Sequence, residues 1–408
     1  MRFRLHTLGV TLMALALLTA TGQAQEQPAQ PAAPATGQQA ATQDLEKTPQ
    51  APIEPVMSGP YPVMSKAAED RARQIFQMYS HGETSQMWAS LSEGLRKASG
   101  KEERFAEINK KYRERMGPET SVVQETILPN LYAPDTVYER LSNFANVRIP
   151  ITFIITVNQR GQIDGFDIKL VHQEVAEGKY AGYEDTAKLK LPFNGEWLVY
   201  QGGRTPFDNA YALDDNTRYG MEFAYVKNGR LFTGPGGLIS KNEDYYCFGQ
   251  PILAPFDGTV SRAEAGYDDN PPGRPSGDPP DGNLVVITHE EGDTRESALM
   301  NHLKQNSLKV KRGDKVKQGD VVAECGNSGA GPVPHLHFQF QKSAGTPLPA
   351  QFVDYIADGK PVASGEPKRG QFVKNAPSTT ANASGMTAGK APAPGSAGTT
   401  PPTPKPGH

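Results

Sequence analysis

The sequence predicts two folded domains in tandem, an α+β unit and then an all-β unit of antiparallel sheet, set between low-complexity ends. Three observations carry this. Apolar residues recur every three or four positions from Lys66 to about Arg115, then alternate in strand-like runs to about residue 171. Beyond about residue 195 short apolar runs are separated by glycine-rich turns, the texture of an all-β domain. The outermost stretches have no apolar periodicity at all.

The chain has 408 residues, with Lys+Arg 42 against Asp+Glu 45 and a formal net charge of -3. No basic block points to nucleic acid. At the start, Arg2 and Arg4 precede an apolar run from Leu8 to Thr19. Gly22 and Ala24 stand at the -3 and -1 positions of a cleavage site before Gln25, so residues 1–24 read as an export signal. That run is about half the ~20 residues needed to cross a bilayer, and no later segment is long and apolar enough. The mature chain is therefore expected in the periplasm or outside the cell, without a transmembrane segment. Residues 25–64 are rich in Gln, Ala and Pro, and residues 363–408 in Pro, Gly, Ser, Thr and Ala. Neither buries enough apolar surface to offset its ordering entropy, so both read as disordered.

The first domain spans 65–195. Ala67, Ala68, Ala72, Ile75, Phe76 and Tyr79 recur at three- and four-residue spacing as in a helix, and Trp88, Leu91 and Leu95 continue the pattern. A further helix runs from Glu102 to Met116 and stops at Gly117-Pro118. Strands are expected at 121–128, 135–144, 149–157 and 163–171, with Asn158 to Gly161 as a hairpin turn. Helices followed by hairpin-connected strands is an α+β order. It resembles the small nuclear-transport-factor-like domains, which implies a binding or spacer role. His81 and His172 have no carboxylate or cysteine around them and read as ordinary surface or packing residues.

The second domain spans 200–345. Gly249 to Val260 reads as a strand and turn, and Val310 to Val322 as a hairpin with Gly313 and Gly319 at its turns. Gly326-Asn327-Ser328-Gly329 leads into Pro334-His335-Leu336-His337-Phe338. In a strand, residues i and i+2 share a face, so His335 and His337 project together while Leu336 and Phe338 face the packed side. With His302 from the Met300-Asn301-His302-Leu303 run, they make a natural metal or acid/base cluster. His289, at a strand edge, reads as an exposed bystander. Cys247 and Cys325 are permitted a disulfide in an oxidising compartment, but no spacing demands one, and small buried hydrophobes is the simpler expectation.

These motifs, in this order, resemble the lysostaphin-like (LytM-type) zinc endopeptidases that work on peptidoglycan. The resemblance implies that His337 is a zinc ligand and that His302 and His335 flank the metal-bound water as catalytic residues. It also implies a histidine and an aspartate ahead of Gly249. No histidine lies between His172 and His289. The matching stretch is Asn209-Ala210-Tyr211 followed by Arg218-Tyr219-Gly220-Met221-Glu222-Phe223, so Ala210 and Tyr211 replace the histidines and Glu222 replaces the aspartate. Glutamate carries its carboxylate one carbon further out. Catalytic zinc keeps three protein ligands and an open position, and the matching positions supply two, Glu222 and His337, with Asp208, Asp214 and Asp215 as substitutes for the third. Zinc is then weakly held or absent.

Three functions follow. The favoured one is an exported cell-wall protein whose peptidase-like domain binds peptidoglycan or its peptide stems, or regulates a cell-wall hydrolase. The alternatives are an active zinc endopeptidase cutting peptide cross-links, and a structural envelope module. The segments 229–244 and Gly266 to Gly282 are extra to the pattern and rim a groove without naming its occupant.

Overall fold

The computed structural model describes residues 63–377 except 171–174, 176–177, 234–240 and 343–344. The expected export signal, most of the 25–64 segment, His172 and the last thirty or so residues lie outside them.

The first body opens on α1 (Lys66–His81), α2 (Thr84–Ala89), α3 (Glu93–Ser99) and α4 (Glu102–Met116). The Ser65 hydroxyl accepts the Ala68 N–H at 3.1 Å and so caps α1. Gly82 ends the helix in the left-handed region, φ 77°, with its N–H on the last turn. The face predicted from spacing is the buried one: Ala72, Ile75, Phe76 and Tyr79 pack on the sheet, and Phe76 and Tyr79 lie 5.0 and 5.2 Å from the Phe153 ring. That sheet is an antiparallel meander in sequence order, β1 (Glu119–Pro129), β2 (Thr136–Phe144), β3 (Val147–Val157) and β4 (Ile163–Leu170). On β3, Ile151, Phe153, Ile155 and Val157 alternate into the helices. His81 is exposed at the end of α1.

The second body is all-β. Its strands are β5 (Trp197–Gln201), β6 (Met221–Tyr225), β7 (Pro251–Leu253), β8 (Gly258–Glu264), β9 (Asn283–Glu291), β10 (Thr294–Leu303), β11 (Lys315–Val316), β12 (Val321–Glu324), β13 (Leu336–Lys342), β14 (Thr346–Pro347), β15 (Phe352–Ala357), β16 (Lys360–Gly365) and β17 (Phe372–Asn375). One long antiparallel sheet runs β11-β8-β9-β10-β13-β6-β5-β17-β15-β16, with β14 added to β13; β7 and β12 pair apart from it. The core fills one face of this sheet with Val285, Ile287, Ala298, Met300, Leu336, Phe338 and Phe340.

Three boundaries differ from expectation. Residues 310–322 turn at Gly313 (φ 94°) and Gly319 (φ 90°), conformations that favour glycine. Their strands do not pair with each other, however: β11 joins β8 and β12 joins β7. The stretch expected to be a disordered tail from 363 carries the end of β16 and all of β17, because Val373 is fully buried between Trp197 of β5 and Ala357 of β15. The second body also begins earlier than residue 200. Ala187, Leu189, Leu191 and Phe193 belong to its core. The reason is Glu296, a fully buried carboxylate on β10. It accepts from Tyr183 Oη (2.8 Å), Thr186 N (2.9 Å), Thr186 Oγ1 (2.8 Å) and Ala187 N (2.8 Å). A buried carboxylate needs such donors. Glu296→Ala should therefore lower stability by at least about 3 kcal/mol, since several buried donors lose their acceptor. Urea unfolding checks this, and a shift under about 1 kcal/mol would contradict it.

The two bodies share contacts. Arg369, ahead of β17, holds Glu139 of β2 at 2.5 and 3.1 Å, both side chains 10% exposed. Arg369 also donates to the Phe207 carbonyl at 2.7 Å. Leu131 and Tyr132 pack into a cluster with Phe232, Tyr245 and Val333.

Candidate functional site

β13 alternates as its sequence demands. Leu336, Phe338 and Phe340 are fully buried in the core, while His337 and Gln339 turn to the other face. Register then builds the site, because His337 faces Asn301 of β10 on one side and Glu222 of β6 on the other. His335 stands just before the strand, bridged to Gly326.

His302 arrives by a different route. On a regular strand it would share the core face with Met300 and Ala298. A bulge between Met300 and Leu303, with His302 at φ 58°, re-aims the residue. Such a conformation in a non-glycine residue is strained, and strain of this kind gathers at functional sites. The Asp281 carbonyl accepts the His302 N–H at 3.1 Å and the Ser328 carbonyl holds its Nδ1 at 2.9 Å. The result is one cluster: His302 lies 4.8 Å from His335 and 5.9 Å from His337 between ring centroids.

Burial, then the neighbouring His335 and His337, holds His302 well below the ordinary histidine range. Burial also takes His337 down to about 4, against the opposing pull of Glu222 and Asp281. Both rings are thus neutral at pH 7. With His302 Nδ1 spent on a carbonyl, its Nε2 is left as a lone-pair acceptor. The Val333 carbonyl takes His335 Nδ1 at 2.7 Å. His335 Nε2 and His337 Nδ1 are buried without a hydrogen-bond partner among the described residues. Gly220 leaves the room His337 needs: a Cβ there would sit 3.1 Å from its Cε1.

Ala210 and Tyr211 lie on a 3-10 turn, residues Ala210–Leu213. Asn209 fixes it by accepting from Tyr211 N at 3.0 Å and donating to the Gly203 and Gly220 carbonyls, each at 3.0 Å. Tyr211 then projects into the cluster. Its hydroxyl donates to Glu222 Oε1 at 2.6 Å and its ring meets His337 edge-on at 5.0 Å. Burial, reinforced by the Glu222 carboxylate, holds the phenol far above its usual range, so it remains a donor. Ala210 is exposed. His335 Nε2 lies 3.8 Å from the same Glu222 oxygen.

The three substitute carboxylates do not join this cluster. Asp208 accepts from Gln124 Nε2 at 2.6 Å and Thr205 Oγ1 at 2.7 Å. Asp214 accepts from Asn216 N at 2.9 Å. Asp215 is 87% exposed and pairs with Arg218. Among the described residues no group of three His, Cys, Asp or Glu side chains is placed to hold a metal ion. The positions implied as ligands therefore do not fit a catalytic zinc, which needs three protein ligands: Glu222 and His337 supply two, and one oxygen of Glu222 is engaged by the Tyr211 phenol proton.

Sequence reasoning missed Asp281. It lies in the extra segment from Gly266 to Gly282, where nothing pairs it with a histidine. In the fold it accepts from Asn301 Nδ2 at 2.9 Å and borders the same groove as His337. His289 is half-buried, not exposed, with Nδ1 on the Asp257 carbonyl at 3.2 Å and its ring edge on Phe256. The sequence leaves the cysteines open between a bridge and separate buried hydrophobes; they are a disulfide, Cys247–Cys325, at a Cα separation of 5.9 Å.

An antiparallel sheet with histidines gathered on its open face is the architecture of a metallopeptidase-like domain. Residues 241–349 match peptidase family M23, and this stretch is an M23 domain. An uncharacterized metalloprotease of Haemophilus influenzae is 35% identical over 92 residues, which is 22% of this chain and 16% of that protein. The match thus spans about a sixth of that relative's length. The catalytic domain of lysostaphin, an antimicrobial peptidase from Staphylococcus simulans, is 21% identical, covering 38% of this chain and 86% of its own, with a TM-score of 0.23. A zinc-containing peptidase from Vibrio cholerae is 17% identical, covering 52% and 55%, with a TM-score of 0.23. Likeness at those scores says nothing of activity.

Proposed function

We propose that this is an exported cell-wall protein whose M23 domain binds peptidoglycan or its peptide stems, or regulates a cell-wall hydrolase, without itself hydrolysing. One observation carries the reading. Tyr211 stands where the resemblance implies a ligand histidine, and its hydroxyl donates to Glu222, the other ligand position. The remaining groups are those of a binding groove, with His335 Nε2 and His337 Nδ1 buried and without a hydrogen-bond partner among the described residues. In this reading the first domain is a nuclear-transport-factor-like spacer. The compartment is periplasmic or extracellular; among the described residues no helix is long and apolar enough to cross a membrane.

The test is elemental analysis alongside a digestion assay. The purified protein should hold well under one zinc per chain, bind isolated peptidoglycan and release no peptides from it. One zinc per chain, with cross-link peptides released and both lost in His337→Ala, would establish the active endopeptidase in its place.

A further inference from the structure

The ring of His335 is held from one side. Among the described residues its single hydrogen bond runs from Nδ1 to the Val333 carbonyl at 2.7 Å, and Nε2 has none. A carbonyl can only accept, so it fixes the proton on Nδ1 and leaves Nε2 as the ring's acceptor. Whatever orients the Val333 carbonyl therefore decides which nitrogen of His335 carries the proton. Val333 has little freedom of its own. Proline stands on each side, fixing φ at 332 and 334 and confining Val333 to extended conformations. The Pro332-Val333-Pro334 run thus moves nearly as one piece, and its carbonyl goes where the Val333 side chain is held.

The first body does part of that holding. Val333 is 3% exposed, buried with Phe232 and Tyr245 in a cluster onto which Leu131 and Tyr132 pack. These two residues lie in the turn between β1 and β2. Tyr245 ties the turn down, its Oη donating to the Leu131 carbonyl at 2.8 Å. Asn130 stiffens it from within, its Oδ1 accepting from Tyr132 N at 2.9 Å. Tyr132 also reaches the proline run by a second route. Its ring stands against Gly273, where an added Cβ would sit 3.5 Å from Cε1, and Gly273 N donates to the Pro332 carbonyl at 2.7 Å. His302 is anchored differently. The Ser328 carbonyl holds its Nδ1 at 2.9 Å, and Asn270 Nδ2 braces that stretch at the Asn327 and Gly329 carbonyls, 2.8 and 2.7 Å away. None of these atoms belongs to the first body.

We propose that the turn between β1 and β2 is a positioning element for the histidine cluster, Leu131 and Tyr132 setting the tautomer of His335 through the Val333 carbonyl. The first body then does more than space the second, because it completes one side of the site. The proposal goes beyond the binding reading and does not depend on it: the same imidazoles are placed whether the site binds or cuts. A hydrogen bond weakens steeply as its angle closes, so a modest swing of the carbonyl is enough to release the ring. The two histidines answer to different parts of the chain, His335 to the first body and His302 to the segment around Asn270.

The experiment reads the imidazole nitrogen resonances of the full-length protein at alkaline pH, where imidazoles are neutral. His302→Gln and His335→Gln assign them. In the wild type His335 should carry its proton on Nδ1. Tyr132→Ala should shift the His335 ratio of Nδ1–H to Nε2–H about fivefold toward Nε2–H, the worth of one net hydrogen bond, and leave His302 unchanged. Tyr132→Phe keeps the ring and should keep the wild-type ratio. Ile75→Ala, in a core cluster that does not include the turn, should cost stability without moving His335. Should Tyr132→Ala not fold, Tyr245→Phe decides, since it removes only the bond to the Leu131 carbonyl; a shift of about twofold is expected there. An unmoved His335 in the deciding variant overturns the proposal. So does a wild type with the His335 proton on Nε2, an equal shift of both histidines, or the same shift from Ile75→Ala.

Discussion

Tyr211→His is expected to raise zinc affinity by about 100-fold or more, roughly 2.7 kcal/mol. The argument is one of ligand number and of competition for Glu222. In the wild type the Tyr211 hydroxyl donates to Glu222 Oε1 at 2.6 Å, and that bond must break before the oxygen can meet a metal. Burial and the carboxylate keep the phenol protonated, so tyrosinate is not a ready ligand. Histidine at this position removes the competing proton donor and adds a neutral nitrogen. With His337 and Glu222 it completes the three protein ligands of a catalytic zinc site. Asn209, which anchors the turn to Gly203 and Gly220, is unaffected and keeps residue 211 directed inward. Ala210→His is expected to do less, because residue 210 is exposed. Competition with a chromophoric chelator measures both. A wild type that already binds zinc as tightly as Tyr211→His would mean that Tyr211 does not stand in for the missing ligand.

The fold was legible where a single element's chemistry decides it. Helix α1 follows from apolar spacing, a serine cap and a glycine stop, and β13 from its alternation of Leu336, Phe338 and Phe340 against His337 and Gln339. The histidine cluster could be anticipated because His335 and His337 share a strand face. What stayed hidden depends on partners far along the chain. His302 is expected in the cluster from its run, but the bulge that carries it there, off the face alternation would give it, is not legible. Asp281 enters from an extra segment whose composition reads merely as loop. Residues 183–193 read as the end of the first domain, yet Tyr183, Thr186 and Ala187 satisfy the buried Glu296 some 110 positions away. Tail composition likewise hid β17, whose four residues are ordered by Trp197 and Tyr355 and not by any pattern of their own.

The disulfide is expected to carry a large part of the second body's stability, and its loss to cost about 2–5 kcal/mol. Cys247 and Cys325 are both buried and close a loop across a sequence separation of 78. In the chain-entropy account a loop of that length constrains the unfolded chain by roughly 4 kcal/mol. The bridge also lies at a backbone junction. Gly249 N donates to the Cys325 carbonyl at 2.8 Å and Cys325 N to the Gln250 carbonyl at 2.8 Å, tying the approach to β7 to the end of β12. Gly326, the next residue, bridges to His335. Loss of the bridge should therefore loosen the histidine cluster as well as the core. Cys247→Ser with Cys325→Ser should shift the urea midpoint downward and steepen the slope, because the unbridged unfolded chain exposes more surface. Amide exchange should quicken at residues 325–337 while α1, in the other body, keeps its protection. The reduced wild type should match the double variant. If the double variant and the reduced wild type unfold at the wild-type midpoint, the pairing contributes nothing, and the two cysteines are only the small buried hydrophobes first expected.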